Sequence, residues 1–351
     1  MKFRPLSYGK CYDEAIAAIN MKATNYDANM ANIGFLLSGP GRPSQGCRAG
    51  ADRPYTVGMS ETIAIVATGD MGHAVGRVLG GHGHRVVTDL TGRSARSLAL
   101  AAAGDITDLG TLDAVMTEAD LFLSIAPPAA AQRIASDAFA AMQRSGHKIP
   151  FADCNAISPM TAMAIAEDAE NAGIPFIDAG IIGRAPSADS KTQFYASGPH
   201  AIHLSVLDGK GMSVSVLSDR VGDASALKMC FASITKGSNA LYAAALIAAA
   251  RYGLSGELAH ELESRAPNAW QAMNGSVPWL AADAERWTGE MEEIAATYDA
   301  VGLPDGFHQG AADLFRHLAA TPLGDETRET LDRTRTLEQT IAILAKAAGT
   351  H

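Results

Sequence analysis

Basic residues are in deficit: 28 Lys and Arg stand against 38 Asp and Glu, a formal net charge of −10. That deficit excludes general affinity for nucleic acid or an anionic membrane surface, because both require clustered cations. Cysteine is thin as well. Cys11, Cys47, Cys154 and Cys230 form no C-x-x-C pair and have no histidine at ligand spacing beside them, which excludes a cysteine-based zinc framework. They read as reduced thiols of a cytoplasmic protein. Long apolar runs are missing too: the nearest, residues 243–250, is short and Ala-rich, against the roughly 18–20 residues that span a bilayer. What is there is 351 residues with 47% apolar content, enough for two domains with their own cores. The expected partner is a small molecule.

Residues 1–58 mix Asn, Gly, Pro, Cys and Met without periodicity, and lack the basic start, apolar core and cleavage site of a secretory signal. Met59 to Thr62 forms a natural start, so 1–58 is expected to be a dispensable extension. From residue 62 short apolar strands alternate with helical segments, the signature of a parallel sheet covered by helices on both faces. Strands are expected at 63–67, 85–90, 121–126, 150–154 and 174–178, with helices at 71–80 and 95–103. Beyond Gly222 the pattern becomes long helices at 224–251, 256–266, 281–300 and 306–320. The first is apolar or small nearly all round, as in ALYAAALIAAA, so solvent is not expected on any side of it. The expected architecture is α/β: a Rossmann-type doubly wound parallel sheet (59–222, NAD(P)-binding), then an all-α domain built on a long central helix (223–351, substrate binding and dimerisation).

The stretch IAIVATGDMGHAVG (63–76) runs from strand through a small-residue turn into a helix. Such a turn seats a pyrophosphate against free N–H groups at the positive end of the helix dipole. Gly69 lets the backbone approach the phosphate and Gly72 lets helix pack on strand, with Asp70 and Met71 between them. Ala67 stands where the fingerprint G-x-G-x-x-G has its first glycine, which is tolerable wherever φ stays negative. After the second strand, Asp89 is placed for a ribose hydroxyl, but Thr91, Arg93, Ser94 and Arg96 follow at once. Arginine offers a forked donor set matched to phosphate and serine adds a hydroxyl, so NADP is expected, with NAD as the alternative.

The ordered segments GDMG, LSIAPP (123–128), ADCNAISP (152–159), FIDAGIIG (176–183) and VGDASALK (221–228) resemble the β-hydroxyacid dehydrogenase superfamily, which includes 6-phosphogluconate dehydrogenase. With TGRS, ALKM and EMEEIA they are similar to its poorly characterised phosphogluconate-dehydrogenase-like branch. The resemblance covers about residues 62–320. It implies a Rossmann domain, a dimerising helical domain and one catalytic lysine early in the long helix, the place of Lys228. An ammonium there protonates a carbonyl oxygen as hydride reaches carbon, and the amine takes the proton back in reverse. Apolar neighbours such as Met229 and Phe231 would lower its pKa; a lysine snorkelling from a helix end is the plain alternative.

Departures from the family pattern limit the transfer. The family Asn four residues after the lysine is Ala232 here, and Lys236 and Asn239 are the polar residues placed to replace it. In Asp178 to Arg184 the family's substrate-binding Ser becomes Ile182, beside Gly183. Asn155 is placed to hold the nicotinamide carboxamide or the substrate, and Ser124 and Pro127 to line the nicotinamide ribose side. Glu290, Glu292 and Glu293 replace the family Lys-Asp and read as a solvated helix face. His82 and His84 have no third ligand in view, so no metal is expected. The expectation is therefore an NADP-preferring oxidoreductase that interconverts hydroxyl and carbonyl on a small metabolite, as a cytoplasmic homodimer. An imine reductase-like enzyme and a non-catalytic NADP-binding sensor or scaffold are the alternatives.

Overall fold

The computed structural model describes residues 61–187 and 192–347; the expected extension at 1–58 lies outside them. The first strand, β1 (Thr62–Val66), is followed by α1 (Asp70–Gly81), β2 (Arg85–Thr88), α2 (Ala95–Ala103), β3 (Thr107–Asp108), α3 (Leu112–Glu118) and β4 (Leu121–Ser124). Then come α4 (Ala131–Ser145), β5 (Phe151–Asp153), α5 (Pro159–Ala172), β6 (Phe176–Ile182), β7 (Thr192–Ser197) and β8 (Met212–Ser218). They form one eight-stranded sheet in the order β3-β2-β1-β4-β5-β6-β7-β8. All neighbours are parallel except β6 and β7. The order reverses between β1 and β4, and that is where open sheets of this kind bind ligands, beyond the carboxyl ends of the strands.

Strand residues alternate between two buried clusters, Ala64 and Val66 on one face and Ile63 and Ile65 on the other. Both faces are therefore covered, as parallel sheets require. The second strand stops at Thr88 rather than Leu90. There the Asp89 carboxylate accepts the N–H of Thr91, a local turn that competes with the ladder.

The helical region runs through α6 (Asp223–Tyr252), α7 (Ser255–Arg265), α8 (Pro267–Ser276), α9 (Ala281–Asp299), α10 (Gly306–Ala319) and α11 (Leu337–Ala347). A third core forms where Met229, Ala232 and Ala243 of α6 meet Met291 and Ile294 of α9 and Phe315 of α10. The 30-residue α6 is not enclosed all round within one chain: Ile234 is 70% and Leu241 56% exposed. Phe231 and Leu227 share that exposed face. Among the described residues no helix is long and apolar enough to cross a membrane.

Candidate active site

The register of β1, β4, β5 and β6 sets Val66 beside Ser124, Ser124 beside Asp153, and Asp153 beside Asp178. These residues form a row at one edge of the sheet, and the candidate site is built on it.

The turn after β1 enters α1 with Gly69 as N-cap and no capping side chain, so the first-turn N–H groups keep their outward aim. A Cβ on Gly72 would lie 2.0 Å from the Ala67 carbonyl oxygen, so only glycine lets α1 sit this close to the strand end. A Cβ on Gly69 would meet no protein atom within 4 Å; the bare residue leaves the turn approachable from outside. Ala67 keeps a negative φ, since Asp105 alone takes a positive one among the described non-glycine residues. Beside the turn lies a cavity lined by Val66, Asp89, Thr91, Gly92, Arg93 and Arg133, among others. These features fit a dinucleotide, with phosphates at the turn and the adenosine ribose at the Asp89 to Arg93 segment. Ser94 caps α2, accepting the Ser97 N–H at 3.2 Å, and the Thr91 hydroxyl donates to the Gly110 carbonyl.

Asn155 is 3% exposed and braced on all sides. Its amide donates to the Ser124 hydroxyl and to the Asp153 carboxylate, both at 2.9 Å, while its oxygen accepts the Ala126 N–H. Both amide donors are thus committed, so Asn155 ties the ends of β4 and β5 together, and its effect on a ligand passes through the backbone it holds. Ser124 is fully buried in this brace, and Pro127 just beyond is exposed. Burial pushes the Asp153 carboxyl up to about 7.

Lys228 lies on the second turn of α6, with its ammonium donating to the Ile181 carbonyl at the end of β6. The close crossing depends on Gly180, where a Cβ would stand 2.9 Å from the Ala224 carbonyl oxygen and 3.0 Å from the Lys228 Cβ. Burial, and next the nearby positive charge of Lys236, lower Lys228 to about 8. Ile182 ends β6 opposite Gln193, and Gly183 follows it. Lys236 pairs with Glu290, which is 4% exposed and also takes Arg286 at 3.2 Å. Asn239 lies three residues further along α6, partly buried.

The expected solvated face of α9 is corrected on this point: Glu290 is a buried ion-pair partner, and Glu293 accepts the Ser158 N–H and the Thr161 hydroxyl of α5. Only Glu292, paired with Arg316, fits the solvated description. The signal was present in the spacing, because Glu290 follows Arg286 by four residues and lies between Trp287 and Met291, Ile294 on the core side. The sequence pattern alone gives Asp178 no role. It is fully buried and accepts from Ser197, from the Gly222 and Ser225 N–H groups and from the Ser225 hydroxyl. It therefore caps the helix that carries Lys228.

Residues 62–208 match the NAD binding domain of 6-phosphogluconate dehydrogenase, and residues 249–318 match a domain of unknown function, DUF1932. A 115-residue stretch is 34% identical to an uncharacterized 28.5 kDa protein encoded in the 7S RNA 5′ region of Methanothermus fervidus, spanning 32% of this chain and only 43% of that protein. A conserved hypothetical protein from Sinorhizobium meliloti 1021 is 23% identical, with 85% of this chain and all of that chain covered at a TM-score of 0.60. A conserved protein of unknown function, described as structurally similar to 3-hydroxyacid dehydrogenases, is 26% identical over 74% of this chain and 96% of its own, at 0.54. The 3-hydroxyisobutyrate dehydrogenase of Mycobacterium tuberculosis, solved with L-serine, is 21% identical over 82% of this chain and 99% of its own, at 0.60.

Proposed function

We infer that this chain, which belongs to the superfamily of β-hydroxyacid and 6-phosphogluconate dehydrogenases, is an NADP-preferring oxidoreductase interconverting a hydroxyl and a carbonyl on a small metabolite. The observation that carries the reading is Lys228, a lysine lowered to about 8 by burial and placed at the carboxyl edge of the sheet on the far side of the Asn155 brace from the dinucleotide turn. A bound nicotinamide supplies or accepts hydride. Lys228 gives its proton to the carbonyl oxygen in the reductive direction and accepts the hydroxyl proton in the oxidative one. The Ile181 carbonyl keeps the amine aimed, and the apolar surroundings keep its proton exchangeable near neutrality.

NADP is favoured because Arg93 lines the adenosine-side cavity, joined there by Arg133. Asp89 lines the same cavity, so the preference is one of degree. A panel of hydroxy acids, amino alcohols, ketones and imines, followed at the nicotinamide absorbance with both cofactors, tests the reading. Turnover of hydroxy or carbonyl substrates, faster with the phosphorylated cofactor, is expected. Faster turnover with NAD overturns the cofactor preference, and imine turnover alone overturns the substrate class. Tight cofactor binding with silence across the panel overturns catalysis in favour of a sensor.

The reading includes a homodimer. Leu227, Phe231, Ile234 and Leu241 fall on one face of α6 and remain exposed in the single chain, and such a stripe requires a cover. In sedimentation the native chain is expected to run as a dimer and Ile234→Glu as a monomer; a native monomer at tens of micromolar overturns this.

A further inference from the structure

Asp70 poses an electrostatic problem. It is the first residue of α1, at the turn where the pyrophosphate is expected, and a carboxylate there repels the phosphates it sits beside. The structure brings two guanidinium groups to it from distant parts of the chain. Arg96 reaches one carboxylate oxygen at 2.7 Å and Arg328 the other at 3.3 Å. Arg328 belongs to the segment between α10 and α11, far outside the sheet. Its guanidinium also meets Asp283 at 3.6 Å, and Arg96 also meets Glu329 at 2.8 Å.

The segment carrying Arg328 is held in shape by its own bonds. Arg335, nearly buried, is bidentate on Glu326 at 2.6 and 2.5 Å, and the Thr327 hydroxyl accepts the N–H groups of Glu329 and Thr330. Arg328 is therefore presented to the dinucleotide turn by a braced loop. Its carboxylate partners are exposed ion pairs, which contribute little by themselves, whereas a forked guanidinium exchanges carboxylate for phosphate oxygens with no change of geometry.

We propose that Arg328 is a dinucleotide-binding residue: with Arg96 it offsets Asp70, and it gives the cofactor's pyrophosphate a cationic partner contributed by the helical region. This rests on the dinucleotide reading of the turn given above. Arg328 acts on the part common to both cofactors, whereas Arg93 acts where they differ. The ring of contacts also ties the loop to α1, α2 and α9 at once, so a bound cofactor lies under a segment anchored on both halves of the site.

The test titrates the full chain with NADPH and with NADH, following tryptophan fluorescence, for the native protein, Arg328→Ala, Arg328→Lys and Asp70→Asn, with a urea midpoint for each. Arg328→Ala is expected to weaken both cofactors by about tenfold at low salt, the scale of one charge-assisted contact, and the difference is expected to shrink as salt rises. Arg328→Lys keeps part of the affinity and Asp70→Asn binds more tightly than the native chain. An Arg328→Ala protein that binds both cofactors like the native one overturns the proposal while the dinucleotide reading stands. A loss that Arg328→Lys does not relieve, matched by a fall in the urea midpoint, also overturns it, because the residue is then only a tie for the loop. A native chain that binds neither cofactor overturns the reading on which the proposal rests.

Discussion

Replacing Lys228 with alanine is expected to lower turnover by about 10²–10⁴-fold, the usual scale of a lost general acid or base, and to leave cofactor affinity within about twofold, since the proposed role confines the amine to the transition state. The two directions should respond oppositely to pH. Carbonyl reduction needs the ammonium, so kcat/KM falls as pH rises through about 8, where burial has set Lys228. Oxidation needs the free amine and gains over the same interval. The stability sign follows from the same shift. The folded chain holds the Lys228 proton less tightly than the unfolded chain, so between about 8 and the ordinary lysine value of 10.5 the unfolded state binds more protons, and folding stability rises with pH there. Below about 8 the site bears the full cost of a charge held in poor solvent. Lys228→Met should therefore raise the urea midpoint at neutral pH while abolishing turnover. Unchanged turnover with cofactor bound would remove Lys228 from the chemistry, and a urea midpoint that falls on substitution would show that the ammonium is favourably solvated.

Asp178→Ala should be the most destabilising single change in the sheet, at about 3–5 kcal/mol, as when the shared acceptor of a buried hydrogen-bond network is removed. The carboxylate is fully buried and serves four donors, two hydroxyls and two backbone N–H groups at the start of α6. Alanine leaves each of them without an acceptor, at about 1–3 kcal/mol per buried group before relaxation. Asp178→Asn retains a carbonyl oxygen but turns donors toward donors, so it should recover only part of the loss. Asp178 also fixes where α6 begins over β6, and Lys228 reaches the Ile181 carbonyl from that start. Turnover measured well below the unfolding midpoint should thus fall for Asp178→Asn, with cofactor affinity unchanged. A shift of the midpoint by under about 1 kcal/mol, within the range of ordinary surface changes, would show that the α6 start is held by other contacts. Equal losses of turnover and cofactor affinity would show a general loosening of the sheet.

The long elements were legible because their signals are local. The strand at β1, the helix at α2, the turn around Gly69 and Gly72 and the length of α6 follow from periodicity and small-residue spacing within ten to thirty neighbours. Boundaries drifted where a side chain took over a backbone group, as Asp89 does after β2. Charged side chains were less legible. Glu290 lies in an acidic run that reads as solvated, yet it faces Lys236, which is 54 residues away in the chain and adjacent only after α9 packs on α6. Arg93 and Ser94, neighbours in the sequence, separate in the structure: one lines the cavity, the other caps α2.

By itself the sequence determined the alternation of strands with helices, the long helices that follow, the small-residue turn after β1, the family resemblance and the lysine at the start of the long helix. Each is written in short stretches whose chemistry does not depend on distant partners. Only the tertiary structure decided that Asp178 caps that helix, that Asn155 is a brace with its donors committed, and that Arg96 and Arg328 converge on Asp70. The reason is physical: the state of a charge or an amide is set by burial and by what it can reach, and for these residues the decisive partners come from strands, helices and a loop up to hundreds of residues away.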